Sequence, residues 1–500
     1  TEGRLAGQSG NLVELLTTLL EECREWPSVR TDAFRNPTFA AQPDRSPVPV
    51  GEPVINDVAW QNISIPATRL KGPAGRADTL SLFPLVHDRT LFVANSGSVF
   101  AFDLTTGRPK WPIDDNDSGE IMTSLLHGPV MSDLPSSGVP RYTMTISDGH
   151  LYARMGLPFT RRSVHEGSSY TELVGVDLSR QGDVPFRATP DALDNLADSP
   201  EATHWSFEGS PVVSDGRVYA TARRGTPEDE TAVVCFDAET SQLIWKRRVC
   251  VNVRNVPDHY NLVGHQLLTL GDGRLFLNTG TGAIAALDAV TGRILWVITW
   301  PARSDETYDE ESNPQRHGLV PGLYHRGILY AVTEAHELFA LDATTGQPTW
   351  HRQIRDRILH LLGIVDGRLI LSGNSLWALD IHTGENAWAS QPRLGFEDPD
   401  GFGYGRGVVT EQSVFWPLRD EILRIDHRTG EITRRIPLRQ AYGLQGGNLL
   451  ISGNYLVIAQ SDRLDALADV TQPADDAATQ PEEEVDQSDS APSSDEPEQE

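Results

Sequence analysis

The sequence predicts an all-β fold: an eight-bladed β-propeller of four-stranded antiparallel blades, with a short N-terminal helix and a disordered acidic C-terminal tail. Three observations predict it. One motif recurs, as "AFDLTTGRPKW", "CFDAETSQLIW", "AALDAVTGRILW", "ALDATTGQPTW" and "ALDIHTGENAW", with a Trp eight residues after the Asp each time. The pairs are Asp103 and Trp111, Asp237 and Trp245, Asp288 and Trp296, Asp342 and Trp350, and Asp380 and Trp388. Three degenerate copies keep the frame: Asp426 with Arg434 in the Trp position, Asp177 with a displaced Gly182, and "DALADVTQ" with Ala468 in the Asp position. From 103 to 468 the copies are 74, 60, 51, 54, 38, 46 and 42 residues apart, a period that marks a propeller or solenoid. The second observation is that short alternating apolar runs flank each polar turn, as in a hairpin. The third is a second hairpin upstream, as in "SPVVSDGRVYATA" or "LLGIVDGRLILSG", with Asp-Gly at its tip. Two hairpins make four strands, the content of one blade.

Within a copy the residue types read as architecture. The Asp carboxylate accepts hydrogen bonds from the amides of its own turn, and the Gly four positions on supplies positive φ. The Trp projects from the outer strand, with a large apolar face and one N–H that needs a partner when buried. A catalytic group need not recur in every blade, so no catalytic role is assigned to these residues.

Along the chain, residues 1–35 form an N-terminal segment in which "GNLVELLTTLLEECREW", 10–26, places Leu12, Leu15, Leu16, Leu19 and Leu20 at helical spacing. That stripe packs on the rim or ends an upstream helical domain missing from this chain. Residues 36–53 are Pro-rich and read as a linker. The propeller spans 54–469. Its last copy stops where the others begin their Trp strand, so "VINDVAWQNIS", 54–64, is expected to complete the eighth blade and close the ring. Two long insertions, 155–170 and 183–205, should cap one sector. Residues 470–500 hold eleven Asp and Glu and no Lys or Arg, and cannot bury a core.

Composition narrows the function classes. The 500-residue chain has a formal charge of −28, which disfavours nucleic acid and bare anionic lipid as partners. No run is long and apolar enough to span a bilayer. Three cysteines, Cys23, Cys235 and Cys250, make no framework, and the turn near 240 sets Cys235 opposite about 244 rather than 250. The chain begins at Thr1 without Met or signal segment and reads as a processed or excised region. Nucleophile-elbow, zincin, Walker A and Cys-x-x-Cys motifs do not occur. The one candidate ligand-facing cluster is His127, His265, His317 and Arg406, polar residues at the starts of innermost strands. Converging at a channel mouth, they would suit a metal or an anion.

The repeated A-x-D-x-x-T-G-x-x-x-W resembles the pyrroloquinoline-quinone (PQQ) repeat, over roughly residues 54–470. That repeat builds eight-bladed propellers in quinoprotein dehydrogenases and in BamB-like envelope scaffolds, so the resemblance implies the fold and a place in the bacterial envelope or periplasm. The dehydrogenases typically set a vicinal disulfide against the quinone, and this chain has no adjacent cysteines. The leading expectation is a non-enzymatic scaffold for protein or peptide partners, with no cofactor; the alternative is a PQQ-dependent dehydrogenase, with PQQ and calcium, or a degenerate relative that keeps a small ligand.

Overall fold

Asp148-Gly149, Asp215-Gly216, Asp272-Gly273 and Asp366-Gly367 have positive φ at both residues, the turn geometry whose twist matches an antiparallel pair. Each joins the first two strands of a blade. The computed structural model describes most of residues 35–66 and 80–471 and a short N-terminal stretch. Residues 14–34, 67–79, 112–118, 125–141, 157–170, 194–204, 253–265, 301–319, 390–402 and 472–500, with some shorter gaps, lie outside the described residues.

The chain forms an eight-bladed propeller in which each antiparallel sheet is built outward in sequence order. The first strands are Leu85–His87, Met144–Ser147, Trp205–Phe207 with Val212–Ser214, Thr269–Gly271, Leu323–His325, Ile358–Val365, Val408–Val409 and Asn448–Ser452, for blades 1 to 8. First strands of neighbouring blades pack on one another, for example in blades 2 and 3, 4 and 5, and 6 and 7. They therefore surround the axis. Blade 6 has three strands, its outer position taken by a segment tied through the isolated bridge between Leu379 and Asn386. Blade 8 takes its outer strand from the other end of the chain: Asp57–Ser64 pairs with Arg463–Ala468, with Trp60 opposite Ala466. This closes the ring and leaves no blade with an unfinished sheet at the seam.

The motif joins each blade to the next. Built on the glycines, a Cβ would fall within 3 Å of the preceding blade's indole: Gly292 against Trp245, Gly346 against Trp296, Gly384 against Trp350, Gly430 against Trp388, and Gly107 against Trp60. The indole N–H of Trp296, Trp350, Trp388 and Trp60 then donates to the carbonyl of Ala343, Ile381, His427 and Leu104, each the residue after the next Asp position. In blade 7 Arg434 holds the Trp register position opposite Arg424, and its guanidinium donates to the Ile55 carbonyl. Trp111 departs from the pattern in its backbone, at φ 60°, while its ring tilts on Phe92 of its own blade as those of Trp245, Trp296 and Trp350 do on Tyr219, Phe276 and Tyr330.

The N-terminal segment differs in part from expectation. Gly10 and Asn11, placed in a helix by their sequence, lie on a strand: Glu2–Leu5 pairs with Gln8–Asn11. Two consecutive small polar residues, Ser9 and Gly10, favour a hairpin over helix propagation there. Val13 is helical, and most of the expected helix lies outside the described residues, as do 472–500 of the tail, most of the first cap insertion and residues 194–204 of the second, whose Phe186–Ala188 is the outer strand of blade 2. Within the Pro-rich stretch 36–53, the described residues 38–47 do not stand clear as a linker would. Proline and alanine leave them few side chains for a core of their own, and they fold onto the inner strands instead.

Candidate functional site at the ring axis

Arg35–Asn36 adds to the first strand of blade 1, pairing with His87 and Val86. From there residues 38–47 run into the centre. Thr38 bridges to Thr145 on blade 2. The Leu270 N–H of blade 4 donates to the Pro43 carbonyl at 2.9 Å, and the Tyr324 N–H of blade 5 to the Asp44 carbonyl at 2.8 Å. Pro47 lies against Gly363 of blade 6. The ten-residue segment thus runs within the central opening along the first strands of blades 2, 4, 5 and 6, in blade order.

Two side chains anchor it. Phe39 is 4% exposed and clusters with Phe83 and Leu267, which precede blades 1 and 4. Its ring meets Phe83 edge-on at 5.1 Å. The Arg406 guanidinium, preceding blade 7, lies 4.9 Å from the Phe39 centroid, and that of Arg45 lies 5.6 Å away. Contacts from blades 1, 4 and 7 on one phenyl ring place Phe39 at the hub. Arg45 is the second anchor. It donates through Nε and Nη2 to the Leu268 carbonyl at 3.2 and 3.0 Å, and through Nη1 to the Phe39 carbonyl at 2.7 Å and to Thr38 Oγ1 at 3.1 Å. Thr145 Oγ1 donates to the Pro211 carbonyl, so its contact with Thr38 Oγ1 at 2.9 Å has Thr38 as donor. A directed chain of hydrogen bonds thus runs from Arg45 through two threonines to blade 3.

The electrostatics are unusual. Burial pulls the Arg45 guanidinium down to about 9, with Arg406 adding like-charge repulsion, and burial pulls Arg406 down to about 10. Both stay protonated at neutral pH. Two cations are therefore held near one phenyl ring, and they donate to neutral oxygens: those above for Arg45, and the Leu361 and Leu362 carbonyls for Arg406 at 3.0 and 3.3 Å. The ring's negative face offsets part of the repulsion, by about 0.5–2 kcal/mol per cation. A cavity of about 70 Å³ remains beside Phe39, bordered by Phe83, Leu362, Arg406 and Asn448.

Of the residues read from sequence as ligand candidates, Arg406 is at this hub and faces the chain's own Phe39. His127, His265 and His317 lie outside the described residues. Phe39, Arg45 and Phe83 were not legible as site residues, because neither periodicity nor a motif marks them; the one available signal was an aromatic and an arginine in a stretch otherwise poor in large side chains. Cys235 and Cys250 are not joined in a disulfide, and their register partners are Trp245 and Thr231. Among the described residues no group of three or more His, Cys, Asp or Glu is placed to hold a metal. The cavity beside Phe39 is bordered in part by the segment 38–47 itself, through Thr38, Phe39, Ala40, Ala41 and Pro47.

Fold and hub together define an eight-bladed propeller of the PQQ-repeat class whose axis is filled by its own N-terminal segment. The profile of the family described as outer membrane protein assembly factor BamB matches residues 175–314 and 299–485, and the chain belongs to that family. Among solved structures it is similar to BamB from Moraxella catarrhalis, with 15% identity and a TM-score of 0.50, covering 83% of this chain and all of that one. It is also similar to the quinohemoprotein alcohol dehydrogenase from Comamonas testosteroni, with 12% identity and a TM-score of 0.53, covering 89% of this chain and 82% of that one. A curated relative, the polyvinylalcohol dehydrogenase of Sphingopyxis sp. (strain 113P3), is 23% identical over 377 residues, 61% of this chain. The match spans about half the length of that relative, 51%.

Proposed function

We propose that this chain is a non-enzymatic PQQ-like propeller that serves as a protein-binding scaffold in the bacterial envelope, in the assembly of outer-membrane components. The observation that carries the reading is the occupied axis: Phe39 and Arg45 fill the hub, and Arg406 is engaged with them and with two carbonyls. A small ligand entering to that depth would have to displace ten residues of chain. The family description, and a rigid ring that offers several blade faces, support a role in presenting surfaces to proteins. No helix among the described residues is long and apolar enough to cross a membrane.

The likeness to the polyvinylalcohol dehydrogenase favours a second reading, a PQQ-dependent dehydrogenase. One titration separates the two. The full chain is mixed with PQQ and calcium, quinone uptake is followed by absorbance, and dye-linked alcohol oxidation is measured. No uptake, together with in-cell crosslinking from the blade faces to one defined envelope protein, is the expected result. Stoichiometric uptake with dye reduction would replace the scaffold reading by the dehydrogenase.

A further inference from the structure

We infer that the ring axis is a peptide-binding site, held in cis by residues 38–47, which reads a turn-forming segment carrying an aromatic side chain and an arginine six residues apart. This rests on the scaffold reading and names the class of partner for that site: a segment of another polypeptide with the same two anchors.

Three features separate a bound peptide from a piece of core. Its contacts include directional ones to inner-strand backbone, at Leu268, Leu270 and Tyr324, beside apolar packing by Phe39, Ala40 and Pro47. The ring closes without it, through Asp57–Ser64. The segment also fits imperfectly. Ala40, Ala41 and Arg45 sit at φ 60°, 67° and 61°, a left-handed conformation that costs non-glycine residues of this kind. Arg45 moreover lies close enough to Arg406 for mutual repulsion. A cis ligand that is strained and near a like charge is displaceable by a better one, and its tether sets a high local concentration that a competitor must exceed. Glycine at the positions of Ala40 and Ala41 removes the strain, less the flexibility glycine adds to the free peptide, so each should tighten binding about two- to fivefold.

The test uses the full chain with a protease recognition sequence inserted at Gly51, where a Cβ would meet no atom within 4 Å. The uncut protein, checked for a wild-type melting transition, is then cleaved, which leaves the amino-terminal fragment held without a covalent link. The expected result has four parts: the fragment co-elutes with the ring; a fluorescent peptide of residues 35–48 exchanges with it, read by polarisation; the same peptide with F39A and R45A fails at tenfold higher concentration; and the peptide with A40G and A41G exchanges at lower concentration. The inference is overturned if cleavage or fragment loss abolishes the ring's cooperative transition, which would make the segment core. It is equally overturned if no peptide exchanges, or if the anchor-less peptide exchanges as well as the wild type. Quinone uptake is measured on the uncut chain, so failure of the scaffold reading registers separately.

Discussion

Trp388 is the most buried of the motif tryptophans, 3% exposed, with its N–H on the His427 carbonyl and its face on Gly430. Trp388→Ala removes the apolar face and leaves a cavity between blades 6 and 7, an expected loss of about 3–5 kcal/mol by denaturant unfolding. Gly430 has φ 79°, and an added Cβ would lie 2.7 Å from the Trp388 ring. Gly430→Ala should therefore cost about 1–3 kcal/mol in the same measurement. The aspartates act differently. Hydrogen bonds from the turn threonine's hydroxyl and amide hold Asp288 and Asp342 below the ordinary carboxylate range, and the backbone amide of Thr240 or Thr383 leads the same effect at Asp237 and Asp380. Their folded pKa lies below the unfolded one, so their stabilisation is complete above the unfolded value near 4 and is lost as pH falls through the folded value. Melting temperature should drop on acidification below about pH 4, and replacing these four by Asn should flatten that drop. Buried Asp465 is pushed up and works in the opposite sense.

At the scale of elements, the outer strand Asp57–Ser64 does for blade 8 what the missing repeat end cannot. It carries Trp60 into the motif position, onto Gly107 and the Leu104 carbonyl of blade 1. Deletion through residue 64 should leave the last blade with an unpaired edge and no indole at the seam, giving aggregation or loss of the single calorimetric transition. Deletion of residues 1–34, which spares the hub segment and the closing strand, should leave that transition in place. Deletion through residue 48 should give an intermediate result: a ring that still closes and melts cooperatively, at lower temperature, because Phe39 and Arg45 no longer brace blades 1, 4 and 7. The strand was legible in the sequence because the eighth copy visibly lacked an end and 54–64 alternated. The brace was not, because its ten residues have no period to read.

For the molecule as a whole, the repeat by itself determined the blade count, the turn chemistry and the pairing of first strand with last. Those depend on local patterns of Asp, Gly, Trp and alternating apolar residues that each blade states anew, so eight imperfect copies still point one way. What only the tertiary structure decided is the use of the axis. Phe39, Phe83, Leu267 and Arg406 are separated by as many as 367 residues in the chain and meet because a closed ring brings the start of every blade to one centre. Whether that centre is an open channel, a ligand site or a plug depends on which segment has the length and the anchors to reach it. A stretch of Pro-rich chain states nothing of this locally, since its conformation, including three left-handed non-glycine residues, is imposed by the ring that surrounds it.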